Sequence, residues 1–518
     1  VLEKNASPKR GDTSEEFLSY SAVRSTEFAE VGSKSLHHDI RGFEMNIEAQ
    51  PAAERLSFKE KVAYGLGDTA SNFYWQMFLN FLLFFYTDVF GISAAAAGTM
   101  FLVVRTWDTG IDPLVGVMAD RTHTRWGHYR PYLLWGAPPL AAMGVLMFTT
   151  PGLSTSGKLV YAYVSYSLIM IAYTFINIPY SALMGVISPN SLERTSVSSY
   201  RFVLAYGGMF MVQGLTLPMV KFFGHGNDQK GFQMAMVVFG IMAIALFLIA
   251  FAATRERVQP AQQRASAIRD DLKDLVRNVP WIMTCFIGLF ALCYDSLRLS
   301  AILYYFKYYV GSYHFQAQIA GHSFSYSFDS GSLASPFMAL GTVGVIVGAA
   351  MARPLTRWLG GKRRAYMLLM TTASVLTALF YFIPREQIIL IFVTHLLIST
   401  LFAPTSPLLW AFYADTADHS EWKTGRRATG LVFSAASFSQ KLGWAIGGTL
   451  AGWLLAYFGF RANIAQTNQV QTGVRCMMTF MPAAAGFLSA AAVLFYKLDD
   501  SFMEKIEREL KQRKGEQH

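Results

Sequence analysis

The sequence predicts an all-α membrane protein of twelve transmembrane helices arranged as two halves of six. Three observations carry that expectation. Of the 518 residues, 53% are hydrophobic and only 15% charged, whereas a soluble domain carries about 25% charged residues. Several apolar runs reach the roughly 20 residues that a helix needs to cross a bilayer, and they lack the alternation of barrel strands. The longest charged interior stretch, TRERVQPAQQRASAIRDDLKDLVRNVP over residues 254–280, divides those runs six and six.

Residues 1–57 are polar, mixed in charge and without an apolar h-region. They read as a disordered cytoplasmic tail, not a signal peptide. Met45, which opens MNIEAQPAAERLSFKEK, is a candidate natural start. The N-terminal half covers 58–254, with spans expected near 62–86, 93–119, 132–150, 159–187, 200–222 and 232–253. A cytoplasmic linker follows over 255–279. The C-terminal half covers 280–500, with spans near 281–309, 332–353, 364–383, 388–413, 428–456 and 476–497, and residues 501–518 form a cytoplasmic tail. Basic residues set the orientation. One set of loops holds Arg121, Arg125, Arg130, Arg194, the linker arginines, Arg357, Lys362, Arg363, Lys423, Arg426 and Arg427. The other holds only Lys158, Lys221, Lys230, Arg385, Arg461 and Arg475. That asymmetry puts both termini in the cytoplasm. The net charge of +10 then reflects basic loops on anionic lipid, not nucleic acid. The three cysteines are odd in number and show no metal spacing, so they read as small buried hydrophobes.

A weak internal echo supports two parallel halves. ADRTHTRWGHYRPY follows the second span and RPLTRWLGGKRRAY follows the eighth, each after the second helix of its half.

The second span contains RTWDTGIDP, residues 105–113. At about 100° per residue, Asp108 and Asp112 lie roughly 40° apart on one face, one turn along the axis, with Arg105 on the same face. A carboxylate at the bilayer centre costs at least about 2.5–3.5 kcal/mol. Arg105, a bound cation or a shared proton must offset that. Hard oxygen ligands suit Na⁺, and a pair sharing one proton suits H⁺. The blander reading is a static ion pair with Arg105. Intramembrane acids mark ion pathways, which favours cation coupling. Lys441 in the eleventh span is positioned to neutralise the pair across the interface between halves. Asp295 and Arg298, three apart in the seventh span, either pair with each other or meet a substrate hydroxyl or anion. Arg201 opens the fifth span and either snorkels or faces the pocket. Tyr64, Tyr74, Trp75, Tyr173, Tyr180, Trp410 and Trp444 are individually packing or interface residues. Beside Asn72, Asn177 and Gln440, they fit a sugar, whose CH faces stack and whose hydroxyls bond amides.

Several stretches then match one family. They are YGLGD (64–68), FFYTDVFGI (84–92), FLVVRTWDTGIDP (101–113), DRTHTRWGHYRPYLL (120–134), NIPYSALMGVIS (177–188), YRF (200–202) and DTADHSEWKTGRRATG (415–430). From about Phe58 to Asp500 the chain resembles the glycoside–pentoside–hexuronide:cation symporters of the major facilitator superfamily, typified by the melibiose carrier. The resemblance implies the major facilitator fold and cation-coupled sugar transport by alternating access, with no cofactor. Asp108, Asp112 and Thr174 would hold the coupling ion, Na⁺ or H⁺, with Arg105 and Lys441 as charge partners. Asn72, Tyr173, Asn177, Arg201, Arg298, Gln440 and Trp444 would meet the sugar. Asp120, Arg121, Arg125, Asp415, Glu421, Arg426 and Arg427 would latch the halves on the cytoplasmic side through charge-assisted hydrogen bonds.

The departures from the family pattern are specific. In the melibiose carrier, acids on the first and fourth helices bind the galactoside, and the matching positions here are Asn72 and Asn177. Ser181 replaces a sugar-site tryptophan. NIPYSAL looks like the branch that carries xylosides and other glycosides. Na⁺-using members have an asparagine beside the second acid, where this chain has Ile111. The implied partners are a sugar or glycoside, the coupling cation and the bilayer of the cell inner membrane, with no nucleic acid and function as a monomer. A lysolipid carrier of the same fold is the second reading. A membrane-embedded transferase is the third, and no HExxH, phosphate loop or nucleophile–base pair supports it.

Overall fold

The computed structural model describes residues 55–258, 278–319, 322–424 and 429–515. The expected N-terminal tail with Met45, most of the linker, and Arg426 and Arg427 lie outside the described residues.

Polar caps start many of the helices. Ser57, Ser93, Ser154, Asn190, Asn227, Asn278, Asp329 and Thr467 each accept a backbone N–H of the first turn through the side-chain oxygen. Such a cap contributes about 1 kcal/mol and fixes where an apolar run begins to wind. Helix α1 runs through Phe58–Gln76, a π-helical turn at Met77–Phe81, Leu82–Phe84 and a second π-helical turn at Phe85–Phe90. Then come α2 (Ala94–Asp120), α3 (Arg130–Met147), α4 (Thr155–Val186), α5 (Ser191–Gly224) and α6 (Asp228–Ala253). The second half has α7 (Val279–Tyr304, closing in a π-helical turn at Tyr305–Val310), α8 (Ser330–Trp358), α9 (Lys362–Leu379), α10 (Ile388–Phe402 and Thr405–Thr424), α11 (Thr429–Tyr457) and α12 (Asn468–Met478 and Phe480–Leu494). By length and apolarity alone, eight of these qualify as membrane spans among the described residues. Of the other four, α1, α2 and α11 carry polar residues that line the interior described below.

The packing repeats between halves. Helix α1 packs on α5 and α6, and α7 packs on α11 and α12. The halves meet where α2 lies along α11 and where α5 lies along α8. The second helix of each half thus pairs with the fifth helix of the other, as a two-fold relation between repeats requires. Near their ends α2 and α11 touch at backbone distance. A methyl group on Gly98 would fall 2.8 Å from the Thr449 carbonyl oxygen, so only glycine fits there.

Three features depart from expectation. The fold is not purely α. Tyr313–Ile319 (β1) and His322–Phe328 (β2) pair antiparallel in the loop between α7 and α8, with Tyr313 opposite Phe328 and Ile319 opposite His322. The period-two runs HFQAQI and SFSYSF specify strands, between spans in a chain expected to be all α. Helix α10 breaks at Ala403–Pro404, because proline lacks the N–H and crowds the preceding turn. It resumes through Asp415–Thr424, so most of DTADHSEWKT is helical and not a loop. The C-terminal tail forms α13 (Asp500–Gly515), packed on α10 with Met503 and Ile506 buried.

Glu256 ties the start of α3 to the end of α6. Its carboxylate accepts the backbone N–H groups of His128, Tyr129 and Arg130 at 2.8, 2.8 and 2.9 Å. A helix N-terminus presents unpaired donors and positive potential, which an anion satisfies. We expect Glu256→Ala to destabilise the protein by about 2 kcal/mol or more, since bonds to a charged acceptor are lost together. Glu256→Gln should lose about half of that. Thermal unfolding of the purified variants in detergent measures both, and unchanged midpoints would refute the locking role.

Candidate functional site

The two ends that lie farthest from the linker between halves, here called the hairpin side, are held together by α1 and α7. Their closing segments are alike in kind, aromatic-rich and ending on glycine: FFYTDVFG (84–91) and YYFKYYVG (304–311). Each ends on a glycine with positive φ, Gly91 at 87° and Gly311 at 70°. These twin ends face one another across the interface. Asp88 accepts from Lys307 Nζ at 2.7 Å and from the Tyr308 hydroxyl. Its backbone carbonyl accepts from Asn463 Nδ2 at 2.7 Å. The Thr87 and Tyr304 hydroxyls share a hydrogen bond at 2.6 Å. The Asp88 side chain is fully enclosed, so these charge-assisted bonds seal the hairpin side. No role was read for Asp88 or Lys307 from the sequence. The available signal was a lone acid and a lone base near the ends of two aromatic spans that each close on a glycine. We expect Asp88→Asn to loosen the seal. A cysteine placed at Leu79, in a background without Cys285, Cys293 and Cys476, should then react several-fold faster with an impermeant thiol reagent applied from the hairpin side. An unchanged rate would rule the seal out.

A second link between halves on that side joins Lys221 to Asp329 at 2.7 Å. Burial raises the Asp329 carboxyl, but hydrogen bonds from Lys221 and Ser332 outweigh it and hold the group at about 2. Its contribution is complete above about pH 4, the ordinary carboxylate value, and is lost as pH falls through about 2. Both groups are exposed, so the contribution is small.

On the linker side the described pairs stay within one half. Asp120 accepts from the Tyr129 hydroxyl at 2.7 Å, and burial together with that carboxylate pushes the phenol up, so it remains the donor. Arg121 caps α2, Arg125 lies over the Trp126 ring at 4.3 Å, and Asp415 pairs with Lys362 at 2.6 Å. Glu421 sits half-buried on the extension of α10. Asp120 and Asp415, expected to latch the halves together, thus bond partners in their own halves in this conformation.

Between these two sides, the middles of α2, α4 and α11 bring three charges together. Thr174 Oγ1 donates to Asp108 Oδ1 at 3.0 Å and reaches Asp112 Oδ1 at 3.5 Å. Lys441 Nζ lies 3.4 Å from Asp108 Oδ2 and closer still to Asp112 Oδ2. Each carboxylate therefore turns one oxygen to a shared hydroxyl and the other to a shared ammonium. Lys441 comes from the opposite half. Two negative charges against one positive leave the cluster one charge short of neutral. Arg105, expected as a charge partner, does not pair with either acid. Its Nε donates to the Tyr166 hydroxyl at 2.7 Å, and its guanidinium lies over the Trp75 ring at 4.8 Å. Helix wheel geometry placed it on the right face, but α4 offers Tyr166 nearer.

Two adjoining chambers open beside the cluster. One, about 270 Å³, is lined by Asn72, Trp75, Asp108, Tyr173, Thr174, Asn177, Gln440, Lys441 and Trp444. The other, about 230 Å³, is lined by Trp75, Gln76, Tyr206, Gln213, Asp295, Arg298, His395, Trp410, Gln440 and Trp444. Trp75, Gln440 and Trp444 form the wall they share. Trp75 stacks on Tyr173 at 5.7 Å and meets Trp444 edge-on at 6.1 Å. Trp75 is thus among the aromatics that stand beside Asn72, Asn177 and Gln440. The buried Gln440 Nε2 makes no hydrogen bond among the described residues. Asn72, Tyr173, Asn177, Gln440, Trp444 and Arg298 therefore all reach the cavity. Arg201 does not line either chamber. Its Nε bonds Asp68 at 2.9 Å, and its guanidinium lies over Tyr180 at 5.4 Å. Nor do Asp295 and Arg298 pair with each other, since Arg298 turns to His395.

Two six-helix repeats that meet around a charged, amide- and aromatic-lined cavity at mid-depth define a secondary transporter of the major facilitator type. Comparison with known proteins agrees. The family described as MFS/sugar transport protein matches residues 63–327 and 321–500. The proposed glycoside/cation symporter YagG of Escherichia coli (strain K12) is 38% identical over 459 residues, covering 88% of this chain and 95% of that protein. The inner membrane symporter YicJ of the same strain is 36% identical over 89% of this chain and 96% of its own length. The isoprimeverose transporter of Lactiplantibacillus pentosus is 35% identical over 87% and 93%. The chain belongs to the glycoside/cation symporter family of sugar transport proteins, and it is a transporter rather than an enzyme. The crystal structure of a D-xylose-proton symporter shares the fold, with a TM-score of 0.59 at 14% identity over 85% of this chain and 97% of that one.

Proposed function

We propose that the protein takes up a neutral sugar or glycoside, of xyloside-like type, together with Na⁺ or H⁺ by alternating access across the cell inner membrane. The observation that carries this reading is the Asp108–Asp112–Lys441 cluster, which joins the two halves beside the amide- and aromatic-lined chamber. A cation or proton on the pair displaces Lys441 from at least one carboxylate, so ion occupancy alters a contact between halves. That is what coupling requires. Thr174 adds a hard oxygen. Ile111 offers none, and the ammonium already occupies an oxygen of each acid, which favours the smaller ligand, a proton. Asn72, Asn177 and Gln440 are placed to bond sugar hydroxyls while Trp75, Tyr173 and Trp444 stack on CH faces.

In this reading the linker side is cytoplasmic, as the arginine-rich loops indicate, and both termini lie there. The hairpin side is external and sealed by Asp88 and Lys307. The protein acts as a monomer, because its own two halves enclose the cavity. The relatives named for glycoside symport and isoprimeverose transport support a glycoside over a lysolipid. The test is uptake of labelled isoprimeverose into vesicles under an imposed Na⁺ or H⁺ gradient, with competition by unlabelled glycosides and by a lysolipid. Gradient-driven accumulation blocked by glycosides is expected. Competition by the lysolipid alone would overturn the reading.

A further inference from the structure

The second chamber holds a charged group that the coupling cluster does not use. Asp295 lies near the middle of α7. Among the described residues its carboxylate makes no hydrogen bond or ion pair, although it lines the 230 Å³ chamber. Arg298, one turn further along α7, is the obvious partner by spacing. It is committed elsewhere: its Nη2 donates to His395 Nδ1 at 2.8 Å. A guanidinium only donates, so His395 accepts there, is neutral and carries its proton on Nε2. The imidazole cannot turn away. It is 4% exposed and stacked on Phe337 with 3.8 Å between ring centroids and 11° between planes. Arg298 is itself buried, and its Nε has no partner among the described residues.

The groups facing Asp295 are few. On its own helix they are Arg298 and Tyr294, whose hydroxyl is bonded to Thr377. Helix α5 offers Tyr206, α10 offers His395, and α1 only the uncharged Gln76. On α11, Lys441 faces the other chamber, beyond Gln440 and Trp444. No second carboxylate faces the chamber, and no cluster of three metal-ligating side chains occurs among the described residues. A metal cation there would lack oxygen ligands. A proton needs only the one carboxylate.

We propose that Asp295 is a second proton-binding site, in the C-terminal half, and that glycoside binding draws a proton from solvent onto it. While the chamber is open, water solvates the carboxylate only in part, so it takes up a proton more readily than a free carboxylate does and is fully ionised only at the upper end of the pH range. When a glycoside displaces that water, the carboxylate keeps only the unbonded attraction of Arg298. Desolvation at mid-membrane then exceeds that attraction, and the acid neutralises. The rival arrangement keeps the carboxylate ionised, accepting sugar hydroxyls. The two differ in sign. Proton uptake makes binding weaken as pH rises, on the order of tenfold per pH unit for one proton. Hydroxyl bonding makes binding indifferent to pH or stronger at high pH.

This inference rests on the glycoside-symporter reading, so its test has one arm that needs no substrate. Infrared spectra of the protein in lipid bilayers, stepped through pH, should show a carboxylic-acid band growing well above the ordinary carboxylate range. The band should vanish in Asp295→Asn, move in Asp295→Glu and persist in Asp108→Asn. If no carboxylic-acid band is lost in Asp295→Asn and kept in Asp108→Asn, the proposal is overturned whether or not a glycoside is carried. In the second arm, isoprimeverose binding to purified protein should weaken with rising pH. Asp295→Asn should keep the low-pH affinity and flatten the profile. Loss of affinity in Asp295→Asn at every pH would identify the carboxylate as a hydroxyl acceptor and refute proton uptake. A wild-type protein that binds no glycoside refutes the transport reading, and the infrared arm still decides the fate of Asp295.

Discussion

Asp108→Asn and Asp112→Asn are each expected to abolish accumulation of glycoside against its gradient while leaving binding and downhill exchange in place. Each substitution keeps size and hydrogen-bonding capacity and removes one negative charge. With Lys441 between the acids, one remaining carboxylate is balanced by one ammonium, and the cluster has no charge left to attract a coupling ion. Removing one charge of a buried, hydrogen-bonded set is worth about 3 kcal/mol or more, which is on the order of a hundredfold in ion affinity. The sugar's amide and aromatic contacts lie on other residues, so exchange survives. A purely structural pair predicts the opposite pattern, with binding, exchange and thermal stability failing together. Arg105 is not orphaned by either substitution, because it bonds Tyr166 rather than the acids. Uphill and exchange uptake in the same vesicles, with thermal midpoints of both variants, make the comparison. Full ion-stimulated accumulation in both variants would refute the coupling role.

Lys441→Ala should have the second largest effect, and a diagnostic one. It leaves two carboxylates about one helical turn apart with only the Thr174 hydroxyl between them. Breaking a buried pair by removing one partner destabilises by about 3–5 kcal/mol, and here the two acids also repel. A bound cation or a proton restores neutrality. The variant should therefore melt several degrees below wild type in neutral, Na⁺-free buffer and recover with whichever ion the pair accepts. Recovery with Na⁺ at constant pH identifies Na⁺, and recovery only on acidification identifies H⁺. Uptake should fall at least about tenfold at matched protein, because the ion no longer competes with an internal ammonium. Wild-type uptake with an ion-independent midpoint would reduce Lys441 to a snorkelling residue.

The local sequence determined a good deal of this protein. Span lengths follow from apolar runs, helix starts from Ser, Thr, Asn and Asp caps, and the two-half plan from the charged divider. Asp108, Asp112 and Lys441 stood out because a charge in a 20-residue apolar run is costly wherever the helix packs. Local rules fail where a residue has a choice of partners. Helical spacing offered Arg105 to the acids and Arg298 to Asp295, yet tertiary packing gave Arg105 to Tyr166 and Arg298 to His395. Arg201 was placed beside the sugar by analogy, yet Asp68 on α1 lies nearer. The seal of Asp88 with Lys307 and Tyr308 joins residues about 220 positions apart, and no local pattern encodes such a meeting. Composition and periodicity are properties of a segment, so the sequence alone determined which segments cross the membrane and which carry unaffordable charge. Which charges neutralise one another is decided by distances between helices, and only the tertiary structure sets those.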